Sequence, residues 1–353
     1  MLRDMGKKYK DQADIFDVAN AAGVSTSTVS RTFNHPDLVR PQTRKRIAEA
    51  IKTTGYIRNR AAQTIHGRRS GTVGFIVPTI EHTIFAELVH AFSQTLEAED
   101  YSIILSSHDY DLRREYHHLR KLLEHRVDGI ALIGQMHRNE TNQLLKIQKI
   151  PVVNIWNYSE NSYFDCIGAS NFEAGYVACK HLLDLGHEKI GLVFPDHFDN
   201  DRAEDRLNGA KTALAEAHDY GSEQFVKFSS YSVSRAKLDC MELLSQGKTS
   251  ALLCGNDVIG RGALHAAREL GITIPDEQSI MSIGDFKGCA DFVPSLSTVR
   301  IPSEKIGRLS AEVLLKRILQ PECAVERQKI SLELLPRQST SPWPVTSATY
   351  NGA

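Results

Sequence analysis

The alternation of two kinds of segment between residues 71 and 283 constrains this fold more than any other feature. Short apolar, β-branched runs such as Thr72–Pro78 and Lys189–Phe194 alternate with amphipathic helical patterns such as Leu112–His125 and Arg202–Ala217. Runs of this kind are typical of strands buried on both faces, and the intervening helices cover the sheet they form. The pattern therefore predicts an α/β fold built on parallel sheets.

The alternation forms two consecutive series of similar size, which predicts two doubly wound parallel-sheet subdomains with a cleft between them. In such sheets ligands bind at the carboxyl ends of the strands. A dinucleotide site is not predicted, because Gly260-Arg-Gly262 lacks the third glycine of that motif and lies inside a helical pattern.

A different pattern precedes the first strand. Apolar residues spaced for one helix face begin at Ile15, with Asp14 and Asp17 placed to cap that helix. Gly23 predicts a sharp turn and Ser25 the N-cap of a second helix, and a third helix is predicted from Pro41. Two short helices joined by a glycine turn indicate an all-α helix-turn-helix domain, whose second helix enters the DNA major groove.

Charge is divided unevenly along the 353 residues. The net charge is −1, but residues 1–70 carry +8 and residues 71–353 carry −9. A basic head on an acidic body is typical of a nucleic-acid-binding module. Charge alone leaves a solubilising segment as an equal alternative.

Several classes of protein are not indicated. No apolar run approaches the roughly 18 residues of a membrane span, and the N-terminus lacks the apolar core of an export signal, so a cytoplasmic location is expected. The six cysteines have neither zinc-site nor CxxC spacing, which predicts reduced, mostly buried thiols. No metal, cofactor or catalytic residue is expected, since phosphate-loop, nucleophile-elbow and zinc-helix motifs are missing.

The helix-turn-helix residues carry a family resemblance. The run Asp17-Val-Ala-x-x-Ala-Gly-Val-Ser-x-x-Thr-Val-Ser-Arg31 resembles the head of the LacI/GalR repressors. The likeness extends over residues 14–340, through matches that include Val127-Asp-Gly129, Leu185-Gly-His187, Asn256-Asp257 and Leu335-x-Arg-x-Ser-Thr340.

The resemblance implies four segments. Residues 1–57 form the helix-turn-helix domain with an extension at 1–13, and residues 58–70 form a hinge helix and linker. Residues 71–340 form the effector-binding and dimerisation domain, and 341–353 a tail. Within that domain the N-lobe is expected at about 71–165 and 296–325, and the C-lobe at about 166–295.

The family pattern also implies the DNA contacts. Thr26 and Ser27 occupy the positions that read base edges, and Arg31 can bond a guanine bidentately, with a phosphate contact as the alternative. Ile65 stands where the family wedges a leucine into the minor groove, and a plain basic linker is the alternative for this segment. The expected DNA-binding residues are Ser25, Thr26, Ser27, Thr28, Ser30, Arg31, Asn34, Asn59, Arg60, Ala62 and Ile65.

The cleft is expected to bind a small polar effector, in keeping with the family. Arg206 matches the family arginine that grips sugar hydroxyls, whereas Gly284 replaces a common ligand-binding aspartate, and Asp285 has a structural alternative. Trp156 can stack on a sugar face or pack at the lobe boundary, two readings of similar weight. The expected effector-binding residues are His82, Phe85, Gln135, His137, Trp156, Arg206, Asn256 and Asp285.

These features together indicate a sequence-specific transcriptional regulator, most simply a repressor. The expected partners are a near-palindromic operator DNA, a sugar or glycoside effector and a second copy of the chain, because paired heads require a symmetric homodimer. Membranes are not an expected partner. An exported sugar-binding protein is the alternative, although it has no use for residues 15–66. The sequence leaves induction and corepression both open.

Overall fold

The computed structural model describes residues 13–58, 69–81, 83–196, 198–217 and 226–343. The chain divides between Ser70 and Gly71 into two compact units, and each has hydrophobic cores of its own. The predicted contacts Asn59, Arg60, Ala62, Ile65 and His82 lie outside the described residues.

The head unit contains three α-helices: α1 (Ile15–Ala22), α2 (Thr26–Asn34) and α3 (Pro41–Thr54). The predicted caps are confirmed, since Asp14 and Asp17 form a capping box on α1 and the Ser25 side chain accepts from the Thr28 N–H. Gly23 ends α1 at φ 63°, a left-handed conformation that glycine adopts at low cost. Each of the three helices contributes one fully buried side chain to the core: Val18, Val29 and Ile47.

The N-lobe of the second unit is a six-stranded parallel sheet in the order β11-β5-β4-β3-β1-β2. Its four central strands are buried almost throughout, as expected of strands covered on both faces. The strands are β1 (Thr72–Val77), β2 (Ser102–Ser107), β3 (Gly129–Ile133), β4 (Val152–Asn157), β5 (Asp165–Ala169) and β11 (Arg327–Lys329).

The C-lobe is a second six-stranded sheet in the order β12-β10-β9-β8-β6-β7, parallel except for the antiparallel edge strand β12. Strand β7 is described from Val226, and the predicted start at Gln224 lies outside the described residues. The strands are β6 (Ile190–Pro195), β7 (Val226–Ser229), β8 (Ala251–Cys254), β9 (Ser279–Gly284), β10 (Ser297–Arg300) and β12 (Glu333–Leu335).

Eight helices join the strands described above. The N-lobe helices are α4 (Thr83–Glu97), α5 (Leu112–Glu124) and α6 (Asn139–Gln148). The helices connecting the C-lobe strands are α7 (Asn171–Asp184), α8 (Asp201–Ala217), α9 (Val233–Leu244) and α10 (Asp257–Leu270). Helix α11 (Ser303–Leu319) returns to the N-lobe, where Gly307 packs so closely that an added Cβ would lie 2.4 Å from the Leu88 carbonyl oxygen.

The structure corrects the expected lobe boundaries. Strand β5 (residues 165–169) pairs with β4 and so belongs to the N-lobe, although a boundary was expected at 165. Strand β10 pairs with β9 in the C-lobe, although residues from 296 were expected in the N-lobe. A separate tail was expected from residue 341, but its start is bound to the C-lobe, because the Trp343 N–H donates to the Leu185 carbonyl there at 2.7 Å. Backbone hydrogen bonds between distant segments decide these assignments, and local periodicity does not report them.

The six cysteines are free thiols, and all but Cys323 are buried. Within the described ranges, no helix is long and apolar enough to cross a membrane. In the same ranges, no group of three or more histidine, cysteine, aspartate or glutamate side chains is arranged to hold a metal ion.

Candidate functional site

Helix α2 presents a polar face on the surface of the head. Ser27 and Arg31 are exposed, and Thr26, Thr28 and Ser30 are half-buried, while Val29 on the opposite face is fully buried. The side chains on this surface are those predicted for the recognition face. Their contacts with DNA stay a prediction.

Two of the predicted DNA contacts also have roles inside the head. The Ser25 hydroxyl caps α2 and bonds the Thr28 hydroxyl at 2.9 Å. The Asn34 amide donates to the Ser30 carbonyl at 2.7 Å, and its oxygen accepts from Arg58, whose guanidinium lies 5.0 Å from the Phe33 ring centre. Asn34 therefore ties the end of α2 to the segment that leaves the head, a role that the sequence did not predict.

The second candidate site lies between the two lobes, at the carboxyl ends of their strands. It is a cavity of about 30 Å³, room for about two water molecules. The N-lobe contributes Phe85, Tyr110 and Trp156, and Ile301 lies directly after β10, where the chain leaves the C-lobe. The C-lobe contributes Arg202, Arg206, Tyr231, Asn256, Ile283, Gly284 and Phe286.

Two aromatic rings form the N-lobe wall. Phe85 and Trp156 are buried, with ring centres 5.7 Å apart. Trp156 has φ 83°, a left-handed value that costs a bulky residue energy and that occurs often at ligand sites. Gly168 on the neighbouring strand lies against this bend, because a Cβ there would sit 2.6 Å from the Trp156 carbonyl carbon.

Two arginines one helical turn apart on α8 face the cavity. Arg206 is 6% exposed, donates to Asn171 Oδ1 at 2.7 Å and hydrogen-bonds Tyr231. Burial lowers the pKa of the Arg206 guanidinium, and its Nε has no partner among the described residues. Arg202 is also buried and donates to the Ile133 carbonyl of the N-lobe at 3.2 Å.

A pair of tyrosines joins the lobes beside these arginines. The rings of Tyr110, which follows β2, and Tyr231, which follows β7, stack with centres 5.0 Å apart and planes 9° from parallel. Burial, followed by the neighbouring Tyr231, raises the pKa of Tyr110 well above its ordinary value. The Tyr110 hydroxyl therefore stays protonated at neutral pH and can donate a hydrogen bond.

The carboxylate of Asp201, at the start of α8, also binds the N-lobe. It accepts from the Gln135 N–H at 2.7 Å and from Asn157 Nδ2 at 3.0 Å, and it pairs with Arg202 at 2.8 Å. Burial alone would raise the pKa of Asp201, but Arg202 and these two donors lower it below its ordinary value. This network holds the two lobes together next to the cavity.

Three predicted effector residues do not line the cavity. The Gln135 amide donates to the Asn157 carbonyl at 2.7 Å within the lobe-joining network. His137 is paired with buried Glu115 at 3.0 Å, which, against the opposing effect of burial, raises the pKa of the imidazole. Asp285 is held by Arg300 and Arg337, each at 2.7 Å, so its structural alternative is favoured. The predictions of Gln135 and His137 rested on position after a strand, which does not fix a side chain's direction, and that of Asp285 rested on the family pattern.

Gly284 has a steric reason to be glycine. Its φ is 137°, and an added Cβ would lie 2.6 Å from the Phe286 ring and 2.7 Å from Asp257 Oδ2. Asp257 itself is buried beneath the cavity, where it accepts from the Phe286 N–H at 2.7 Å and from Thr298 Oγ1 at 2.9 Å.

The structure brings together Phe85, Trp156, Arg206 and Asn256 from the predicted set and adds residues that were missed. Arg202 could have been found because it lies one turn before Arg206 on the same helix. Tyr110 and Tyr231 follow the strands β2 and β7, so the rule of carboxyl strand ends applied to them as well. Phe286 follows β9, so the same rule applied to it.

Comparisons with known proteins agree with this architecture. Residues 14–59 match the model of bacterial regulatory proteins, lacI family, and residues 179–340 match a periplasmic binding protein-like domain. The HTH-type transcriptional repressor PurR of Haemophilus influenzae is 32% identical over 333 residues, which cover 93% of this chain and 98% of the relative.

Solved structures show the same fold. A LacI-family transcriptional regulator from Silicibacter pomeroyi matches with a TM-score of 0.85 and 25% identity, covering 93% of this chain and 99% of that one. A LacI-family regulator from Enterococcus faecium, solved with bound ribose, matches with a TM-score of 0.70 and 26% identity over 77% of this chain and 100% of its own. These relatives are regulators and not enzymes, and they favour a regulator over an exported binding protein.

Proposed function

Because the chain belongs to the LacI family and is a DNA-binding transcriptional repressor with an effector-binding domain, we propose that a sugar-like effector between its two lobes controls its affinity for operator DNA. One observation carries the proposal: a single cavity is lined by Phe85 and Trp156 of one lobe and by Arg206 and Asn256 of the other. A ligand there contacts both lobes and can favour one arrangement over another.

The size of the cavity supports control through lobe movement. The cavity of about 30 Å³ is narrow, and we expect the lobes to separate or rearrange when a sugar binds. The Asp201 network and the stacked tyrosines are the contacts that such a movement breaks. Coupling of this kind is typically about 1–3 kcal/mol, and it is reciprocal between effector and operator.

The lining supports a sugar-like ligand. Aromatic faces next to hydrogen-bonding side chains suit a compact molecule with apolar ring faces and polar edges. The ribose bound to the Enterococcus faecium relative is a precedent for this class of ligand in the fold.

At the DNA, we assign base reading to the exposed face of α2. Arg31 is placed to bond a guanine, with Thr26 and Ser27 beside it. The hinge contacts of Asn59, Arg60, Ala62 and Ile65 complete the proposal as predicted from sequence. Operator DNA lies in the bacterial cytoplasm, so the protein acts there.

A homodimer with a near-palindromic operator follows from paired heads. Exposed apolar side chains on both lobes support it: Ile80 borders a groove of about 360 Å³ on the N-lobe, and Val293 one of about 390 Å³ on the C-lobe. We propose these two surfaces as the dimer interface.

Selection from a randomised duplex library with the full chain tests the DNA function. We expect enrichment of a near-palindrome whose affinity falls about 10³- to 10⁵-fold between roughly 50 and 200 mM salt. Failure to enrich any sequence, or an affinity independent of salt, contradicts operator binding.

The effector function is tested on the selected operator with a panel of mono- and disaccharides, glycosides and sugar acids. A member of the panel should change operator affinity about 5- to 150-fold in either direction. Arg206→Ala should remove that response and leave operator affinity without the ligand unchanged, because Arg206 lies in the second compact unit. A response that survives this substitution would place the effector elsewhere.

A further inference from the structure

The cavity between the lobes offers many hydrogen-bond donors and few acceptors. Arginine side chains can only donate hydrogen bonds, and the N–H at Arg206 Nε has no hydrogen-bond partner among the described residues. Asn256 is 3% exposed; its Oδ1 accepts from the Ile259 N–H, which leaves an unpartnered Nδ2 as the donor at the cavity. The Tyr231 oxygen already accepts from Asn200 Nδ2 at 2.8 Å.

Among the described residues, the charge of Arg206 has weaker compensation than that of Arg202, because Asp205 interacts with it without forming an ion pair. Arg202 has its own counter-charge in Asp201, at 2.8 Å. Arg206 forms no ion pair in the described part of the chain, and its neighbour Asp205 accepts from Asn157 Nδ2 at 2.8 Å instead. A buried charge without a partner is costly, so a group that neutralises it gains more than an equivalent contact at the surface.

The two carboxylates packed behind the Gly284 wall are already engaged by the protein. Asp257 is occupied by two hydroxyls and a backbone N–H, and Asp285 by two arginines. Gly284, at the cavity wall, has no side chain, and the close approach of Asp257 and Phe286 leaves no room for one. The wall therefore selects ligands that accept hydrogen bonds.

Resting on the proposed effector function of this cavity, we propose that the effector carries an anionic group, a carboxylate or a phosphate, which binds Arg206 and the Asn256 amide. A guanidinium with free donors matches the planar, two-oxygen edge of these groups. The Phe85 and Trp156 rings then receive the rest of the molecule, on the opposite side of the cavity.

The test compares ligands that differ in charge. We would measure the thermal unfolding midpoint and the Kd of the full chain with D-glucose, D-glucuronate, D-glucose 6-phosphate and inorganic phosphate, at one ionic strength set with NaCl. At least one of the three anionic probes should bind tenfold or more tightly than D-glucose, because hydrogen bonds to charged groups contribute about 10- to 150-fold.

Variants separate charge from structure. Arg206→Gln keeps a donor for Asn171 and should lower affinity for the anionic probe about 10- to 150-fold, while Arg206→Lys keeps the charge and should retain the preference over D-glucose. Arg308→Gln, an exposed arginine paired with Glu312, is the matched control and should bind like the unmodified chain.

Every outcome decides the proposal. Equal or tighter binding of D-glucose, no binding of any anionic probe, or an anion preference that survives in Arg206→Gln would overturn it. Binding to the selected operator is measured in parallel. If the operator is bound and a neutral effector controls its affinity, the proposed function stands and only the anionic group is excluded. If the operator is not bound, the proposed function itself is contradicted.

Discussion

At the scale of single residues, three residues with positive φ line the cavity between the lobes. Tyr110, Trp156 and Gly284 line it with φ values of 61°, 83° and 137°. Left-handed conformations cost non-glycine residues about 1–3 kcal/mol and persist where surrounding contacts hold them. The side chains of Tyr110 and Trp156 line the cavity, and Gly284 adds no side chain to its wall.

Gly284→Ala should destabilise the protein more than Gly247→Ala. Both glycines have positive φ, but a Cβ at Gly247 meets nothing within 4 Å, whereas one at Gly284 meets Phe286 and Asp257. We expect about 1–2 kcal/mol for the backbone term at either site and a further 1–3 kcal/mol of overpacking at Gly284. Urea unfolding of the two variants measures the difference, and equal losses would contradict the steric argument.

Arg31→Ala should weaken binding to the selected operator more than binding to random duplex. A bidentate contact with guanine contributes about 1–3 kcal/mol of discrimination, which corresponds to roughly a 5- to 150-fold loss. Arg46→Ala, an exposed arginine on α3, is the control and should affect both DNAs alike. Equal losses on both DNAs for Arg31→Ala would assign it to a phosphate.

At the scale of elements, the loop after β2 and the first turn of α8 meet in a buried polar layer. His108 is 2% exposed and lies near Glu115, Arg202, His137 and His118. Burial lowers the pKa of His108 to about 4, against the attraction of Glu115. The pKa of His137 is raised instead, because Glu115 and Asp201 together outweigh burial, so the pKa values of these two histidines shift in opposite directions.

His108→Gln should reduce the loss of stability on mild acidification. The folded pKa of about 4 lies below the ordinary value of 6.5, so the unfolded chain takes up the proton first. This contribution is fully present above pH 6.5 and is lost as pH falls toward 4, by about 1–2 kcal/mol between pH 6.5 and 5. Urea unfolding of both proteins at these pH values gives the difference, and parallel pH profiles would contradict the assignment.

At the scale of the whole molecule, the second unit is built from segments that cross repeatedly between lobes. After β5 the chain enters the C-lobe, β10 ends there, α11 and β11 return to the N-lobe, and β12 pairs again in the C-lobe. The lobes are therefore joined by several connections beside the cavity. Such connections permit a change of lobe angle while each sheet stays intact.

Val293→Glu should weaken the proposed homodimer. Val293 is 96% exposed beside a partly apolar groove on the C-lobe, and a charge in an apolar interface is costly. We expect a shift toward monomer in light scattering after size-exclusion chromatography, with a parallel loss of operator affinity. Leu238→Glu, at an exposed leucine on α9 outside this groove, should leave the oligomer unchanged. An unchanged oligomer in Val293→Glu would exclude this surface from the interface.

The sequence by itself determined the head and the two-sheet plan. Caps, a glycine turn and helix-spaced apolar residues act within a few positions, as do the apolar runs of buried parallel strands, and such signals can be read locally. It also identified Arg206, Asn256, Phe85 and Trp156 as cavity residues, because strand ends and the family pattern marked them.

Only the tertiary structure decided which polar groups reach the cavity and which are taken by the protein. Gln135, His137 and Asp285 follow strands, but partners 15 to 66 residues away bind them first. The contact of Tyr110 and Tyr231 across the lobes was likewise not predictable from a local pattern, because the two residues lie 121 positions apart in the sequence. Donor and acceptor balance in a buried site depends on such distant pairs, and no local pattern encodes them.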